Sequence, residues 1–101
     1  MREETIFDQA VNHYGREMQT RKLAEEAAEL SASLQSYLNA LESGDADRAE
    51  EKLCCVYSEL ADMRIMMQQV PMLFNEDRIR RNVQKKGIRL RERIERGRAA
   101  A

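Results

Sequence analysis

Two long apolar stripes at helical spacing, joined by a five-residue link, constrain this chain more than any other feature. Leu23, Ala27, Leu30, Leu34, Leu38 and Leu41 recur at steps of three or four, which puts them on one side of a helix running to Glu42. "SGDAD", Ser43 to Asp47, then offers a glycine to close that helix and an aspartate to open the next. From about Asp47 to Val70 the same spacing returns in Leu53, Val56, Leu60, Met63 and Met67. Pro71 should end or kink this second helix, because proline lacks the amide donor and clashes with the preceding turn. Two such helices with so short a link fold back on each other, so the expectation is all-α with an antiparallel helical hairpin at its centre.

Shorter helices flank the hairpin. Phe7, Ala10, Val11, Tyr14 and Met18 form one apolar face, with Gly15 placed to bend or break it. Asn75 reads as the cap of a last helix of about residues 76–96, whose first turn holds Glu76 and Asp77 as the helix dipole favours. Its apolar side, Ile79, Val83, Leu90 and Ile94, is thin, and residues 97–101 should fray. A chain of 101 residues fits one domain, 1–101, and buries only about two thirds of the surface its unfolded form exposes. These stripes are more than one copy can cover. A homo-oligomer, dimer or tetramer, completing a four-helix-type bundle is therefore expected.

Charge is unevenly spread. Residues 1–50 carry five basic and eleven acidic side chains, and residues 51–101 carry twelve and seven. From Arg78 to Arg98 there are ten Lys or Arg against two Glu, a run suited to phosphate or another acidic surface. No stretch approaches the roughly 20 apolar residues of a membrane span, and the N-terminus lacks the pattern of a signal peptide. The expectation is a soluble, cytoplasmic protein with no membrane partner. Cys54 and Cys55 are adjacent, a spacing that suits neither an ordinary disulfide nor a Cys-x-x-Cys metal site, so they read as reduced, partly buried helix residues.

"KLAEEAAEL", Lys22 to Leu30, and "SELADM", Ser58 to Met63, each place two carboxylates three residues apart. Helix positions three apart are neighbours, so Glu26 and Glu29 share a side, as do Glu59 and Asp62. Both pairs border the apolar stripes. Glu-x-x-Glu alone is common on solvated helix faces, but two pairs beside facing stripes bring the solvated and the ligand readings level. Crowded carboxylates repel and raise each other's pKa, and a divalent cation removes the conflict. An all-oxygen set suits a hard ion: Mg²⁺, which also binds substrate phosphates, or Mn²⁺ in its place. A di-iron bundle needs Glu-x-x-His on two helices, and the single histidine, His13, has Ala10 three positions before it.

"HYGREMQTRKLAEEAAEL" followed by "SELADMRIMM" resembles the MazG-like, all-α nucleoside triphosphate pyrophosphohydrolases, whose pattern is Glu-Glu-x-x-Glu and then Glu-x-x-Asp. Glu25, Glu26 and Glu29 match the first part, Glu59 and Asp62 the second, and "KGIRLRERI" resembles the basic ending of small members. The resemblance implies a Mg²⁺-dependent enzyme that splits NTP or dNTP between the α and β phosphates, and an oligomer of helices. It implies Glu26, Glu29, Glu59 and Asp62 as metal ligands, with Glu25 orienting or deprotonating the attacking water. Lys85, Lys86 and Arg89 are candidates for the substrate phosphates, and Gln9, His13 and Gln19 for the base. A phosphoribosyl-ATP pyrophosphohydrolase ranks second, because that family usually follows its aspartate with a Tyr-His pair, whereas this chain has Arg64-Ile65-Met66-Met67. The non-enzyme alternative is a helical adapter or nucleic-acid-binding module built on the basic run, although the acidic first half repels a polyanion.

Overall fold

The computed structural model describes residues 4–100, with side chains as far as residue 98. It is a chain of helices: α1 (Ile6–Tyr14), α2 (Arg16–Ser43), α3 (Ala46–Met67), α4 (Val70–Leu73) and α5 (Glu76–Ala100). No strand occurs among the described residues. No helix among them is long and apolar enough to cross a membrane.

Each joint has a local cause. Thr5 opens α1 through a reciprocal capping box with Asp8, its Oγ1 accepting from the Asp8 amide at 3.1 Å while an Asp8 carboxylate oxygen accepts from the Thr5 amide at 2.9 Å. Gly15, at φ 89°, breaks the first apolar segment outright, so Met18 belongs to α2 rather than to the helix of Phe7 and Tyr14. Gly44, at φ 76°, closes α2, and the Asp45 carboxylate accepts from the Arg48 amide at 3.1 Å to open α3. α3 ends at Met67, ahead of Pro71, which lies in the first turn of α4. Asn75 caps α5, its Oδ1 accepting from the Arg78 amide at 3.1 Å.

The two long helices pack together, as the stripes and the short link require. α1 and α4 close the open end of this hairpin. There Val11, Val70 and Leu73 are buried, Arg16 donates to the Leu73 carbonyl at 2.8 Å, and Gln19 donates to Gln69 Oε1 at 2.7 Å. Along the hairpin the buried apolar side chains are Ala40, Val56 and Met66. This core is small. Leu34, Leu38 and Leu41 of the expected stripe are exposed, as are Leu60 and Met67 of its counterpart. A wide apolar arc needs neighbours on two sides, and one returning helix covers only half of it. Cys54 and Cys55 are exposed rather than partly buried, because they lie about 200° and 100° around the helix from Val56, which faces α2.

α5 differs from the rest. Only Glu76 and Ile79 in its first turn are half-buried, and every described side chain from Arg80 onward is exposed. The resulting radius of gyration, 18.2 Å, exceeds the roughly 13 Å of a compact chain this long.

Candidate metal centre

The α2–α3 hairpin has two unlike sides. At about 100° per residue, Leu34, Leu38 and Leu41 lie roughly 60° to 120° to one side of Glu26, while Glu25 and Glu29 lie roughly 60° to 100° to the other. Tyr57 and Leu60 stand likewise on one side of Val56, and Glu59 and Asp62 on the other. Because the helices run in opposite directions, the leucines meet Tyr57 and Leu60 on one side of the hairpin. The carboxylates gather on its opposite side.

One carboxylate oxygen from each of Glu26, Glu29 and Glu59 comes within 4.8 Å of the other two. Glu26 is only 5% exposed, Glu59 is half-buried and Glu29 is exposed. Glu26 Oε1 lies 3.1 Å from Lys22 Nζ. Its Oε2, like Oε2 of Glu59, is buried with no hydrogen-bond partner among the described residues. A buried acceptor left unmade costs about 1–3 kcal/mol, and more when charged, so a partner at either oxygen would relieve a cost. The crowding also acts on Glu29. The Glu26 charge first, then burial, then the Glu59 charge push its carboxyl above the ordinary value, with Lys22 opposing. Lys22 is pushed up in turn, chiefly by its hydrogen bond and charge contact with Glu26.

The donor set fits a single hard cation. Oxygens bound to such an ion at about 2.1–2.4 Å lie no more than about 4.8 Å apart, and the three oxygens here fall within that limit. With no sulfur or imidazole in the group, it suits the oxygen-seeking ions without choosing among them.

The other sequence-predicted residues take varied places. Asp62 is exposed, one turn beyond Glu59 and outside the group of three. Glu25 is exposed, with Oε2 3.9 Å from Lys22 Nζ. Gln19 is buried and engaged with Gln69, which ties α2 to the link between α3 and α4. His13 is exposed near the end of α1, its ring edge-on to Tyr14 at 4.6 Å, and Gln9 is exposed on the same helix. Lys85 lines a shallow hollow of about 280 Å³ with Arg78, Arg81 and Asn82, and Lys86 and Arg89 line another of about 370 Å³ with Glu92, Arg93 and Arg96. Among the described residues no ion pair joins α5 to the carboxylates. Sequence reasoning gave Lys22 no role at the site. Its signal was available: a lysine four residues before a glutamate on one helix reaches it.

Comparison with protein-family models, with curated proteins and with solved structures finds no match for this chain.

Proposed function

We propose that the protein is a divalent-cation-dependent nucleoside triphosphate pyrophosphohydrolase working as a homo-oligomer. The observation that carries this reading is the pair of buried, unpartnered carboxylate oxygens on Glu26 and Glu59, with Glu29 beside them. The MazG-like spacing of Glu25, Glu26, Glu29, Glu59 and Asp62 supports it and names the chemistry.

Glu26, Glu29 and Glu59 would hold Mg²⁺ or Mn²⁺, with Asp62 at the outer edge. When bound, the cation neutralises the carboxylates, polarises a phosphate oxygen and makes a nearby water more acidic. The chain's own groups do the rest. Glu25, exposed beside the cluster, accepts the proton of the water that attacks the α phosphorus. The bond from that phosphorus to the α–β bridging oxygen breaks, giving the monophosphate and pyrophosphate. Lys85, Lys86 and Arg89 offset the charge on the departing pyrophosphate. The side of the hairpin away from the carboxylates carries Leu34, Leu38, Leu41, Tyr57 and Leu60, and a second copy covers it to complete a four-helix core. That side also holds most of an apolar hollow of about 600 Å³ lined by Tyr57, Leu60, Ala61, Met63, Arg64, Ile65 and Met67.

The test is incubation of the pure protein with Mg²⁺ and a panel of canonical and modified nucleoside triphosphates, assayed for monophosphate and pyrophosphate. At least one nucleotide is cleaved, and Glu26→Gln abolishes turnover while helix content by circular dichroism is kept. No cleavage across the panel, together with duplex binding that weakens steeply with salt and survives Glu26→Gln, would replace the enzyme with a nucleic-acid-binding module.

A further inference from the structure

Lys22 stands where a charge conflict would otherwise arise. Its Nζ is 3.1 Å from Oε1 of Glu26 and 3.9 Å from Oε2 of Glu25, and among the described residues no other cation is paired with either. The two partners differ sharply in burial: the Glu26 side chain is 7% exposed and that of Lys22 is 49% exposed. Glu26 is therefore fixed inside the hairpin, while the ammonium sits at the mouth of the site on a flexible four-carbon stem.

A divalent ion held by Glu26 would lie within a few ångströms of that ammonium. Two cations that close repel strongly in a partly desolvated site. Lys22 can leave at small cost, because a half-exposed helix ion pair contributes little and its stem has free rotamers. Glu26 has no such freedom. Swung outward by one or two rotamers, the ammonium stays at the rim of the carboxylate cluster, where three unspent donors face whatever anion enters with the metal.

We propose that Lys22 is a tethered cation that occupies the carboxylate site until a divalent ion displaces it, and that once displaced it binds the phosphates of the nucleotide. This rests on the metal-dependent reading of the site. It assigns to one side chain two successive partners, a carboxylate in the metal-free protein and a phosphate oxygen in the loaded one.

Titration of the full chain with Mn²⁺ alone, in the absence of nucleotide, tests the first half. Lys22→Met removes the competitor and binds Mn²⁺ about tenfold more tightly than the wild type, while Lys22→Arg, which keeps the charge, stays within about twofold. Lys22→Gln repeats the effect of Lys22→Met and guards against misfolding of the apolar variant, with circular dichroism as the check. The second half is read with Mn²⁺ saturating: Lys22→Met and Lys22→Gln raise the nucleotide KM about tenfold or more, and Lys22→Arg restores most of it. Unchanged or weaker Mn²⁺ affinity in both neutral variants, or an unchanged KM, overturns the proposal. If the wild type binds Mn²⁺ and loses it in Glu26→Gln yet cleaves no nucleotide, the enzymatic reading has failed and the Mn²⁺ comparison still decides whether Lys22 competes. If neither the wild type nor the neutral variants bind Mn²⁺, the metal site itself is wrong.

Discussion

The α2–α3 hairpin and α5 are built from the same kind of sequence, charged helices with an aliphatic stripe, yet they end in opposite states. Val56 in the hairpin is 3% exposed; Val83 in α5 is 62% exposed. The difference comes from the path of the chain. After α2 a two-residue turn returns α3 along its length, so part of each stripe is covered at once. α5 leaves from α4 at the open end of the hairpin, and among the described residues every side chain of it from Arg80 onward is exposed. The charges divide in the same way, six basic and eleven acidic side chains over residues 16–67 against ten and two over residues 78–98. A stripe thus specifies a helix locally, but burial depends on the neighbour that topology supplies.

The largest effect separates the two regions chemically. Glu59→Gln removes the charge from the carboxylate that holds one of the two buried, unpartnered oxygens and should lower turnover by a factor of about 10² or more, the range seen when a single electrostatic contact to the reacting centre is lost. Arg89→Gln, on an exposed helix with other cations nearby, should lower it by about tenfold or less. Asp62→Asn should fall between them, since Asp62 borders the cluster without joining it. Turnover measured for the three variants beside the wild type checks the order. A larger loss from Arg89→Gln than from Glu59→Gln would reverse the division of labour and put the centre of the site on α5.

The same substitution at two valines tests the structural half of the comparison. Val56→Ala removes buried methyl groups and leaves a small cavity, for a loss of about 1.5–2.5 kcal/mol in urea unfolding. Val83→Ala, exposed in the single chain, should stay within about 0.5 kcal/mol. A cost at Val83 approaching that at Val56 would place α5 inside an interface between copies. Leu60→Lys on the apolar side of the hairpin gives the complementary measurement: light scattering should show the mass falling toward the 11.8 kDa of one chain, while Leu90→Lys on α5 leaves it unchanged.

These contrasts also mark what the sequence could reveal. The hairpin was legible because its signals are local: leucine spacing, the glycine that ends α2 and the aspartate that caps α3. The shared side of Glu26 and Glu29 was legible for the same reason, as a consequence of helix pitch. Features that depend on distant parts of the chain were not. Gln19 is buried by an amide contact with Gln69, fifty residues away, and no pattern around either residue announces it. The exposure of Leu34, Leu38 and Leu41 depends on how many helices pack against α2, which spacing does not encode. Residue type suggests half-buried positions for Cys54 and Cys55, whereas their angle from Val56 sets them facing outward.

The smallest expected effect concerns pH, and it again sets the hairpin apart. Glu29 is held above the ordinary carboxyl value of 4.5, first by the Glu26 charge, then by burial and by Glu59. Its protonated form is therefore favoured more in the folded chain than in the unfolded one. Between 4.5 and its raised pKa the folded chain holds the greater share of protons, so stability contributed by this group grows as pH falls through that window and is lost as pH rises through it. Below 4.5 both states are protonated and the contribution levels off. Because Glu29 is exposed, solvent screens the effect, and the urea midpoint of the metal-free protein should move only slightly. Glu29→Gln should flatten that slope. Added Mg²⁺ should invert it, since the cation binds the ionised carboxylate and stabilises the folded chain more as pH rises. A slope that persists unchanged in Glu29→Gln would mean that the carboxylates of the cluster do not feel one another, and would remove the reason for a cation to gather there.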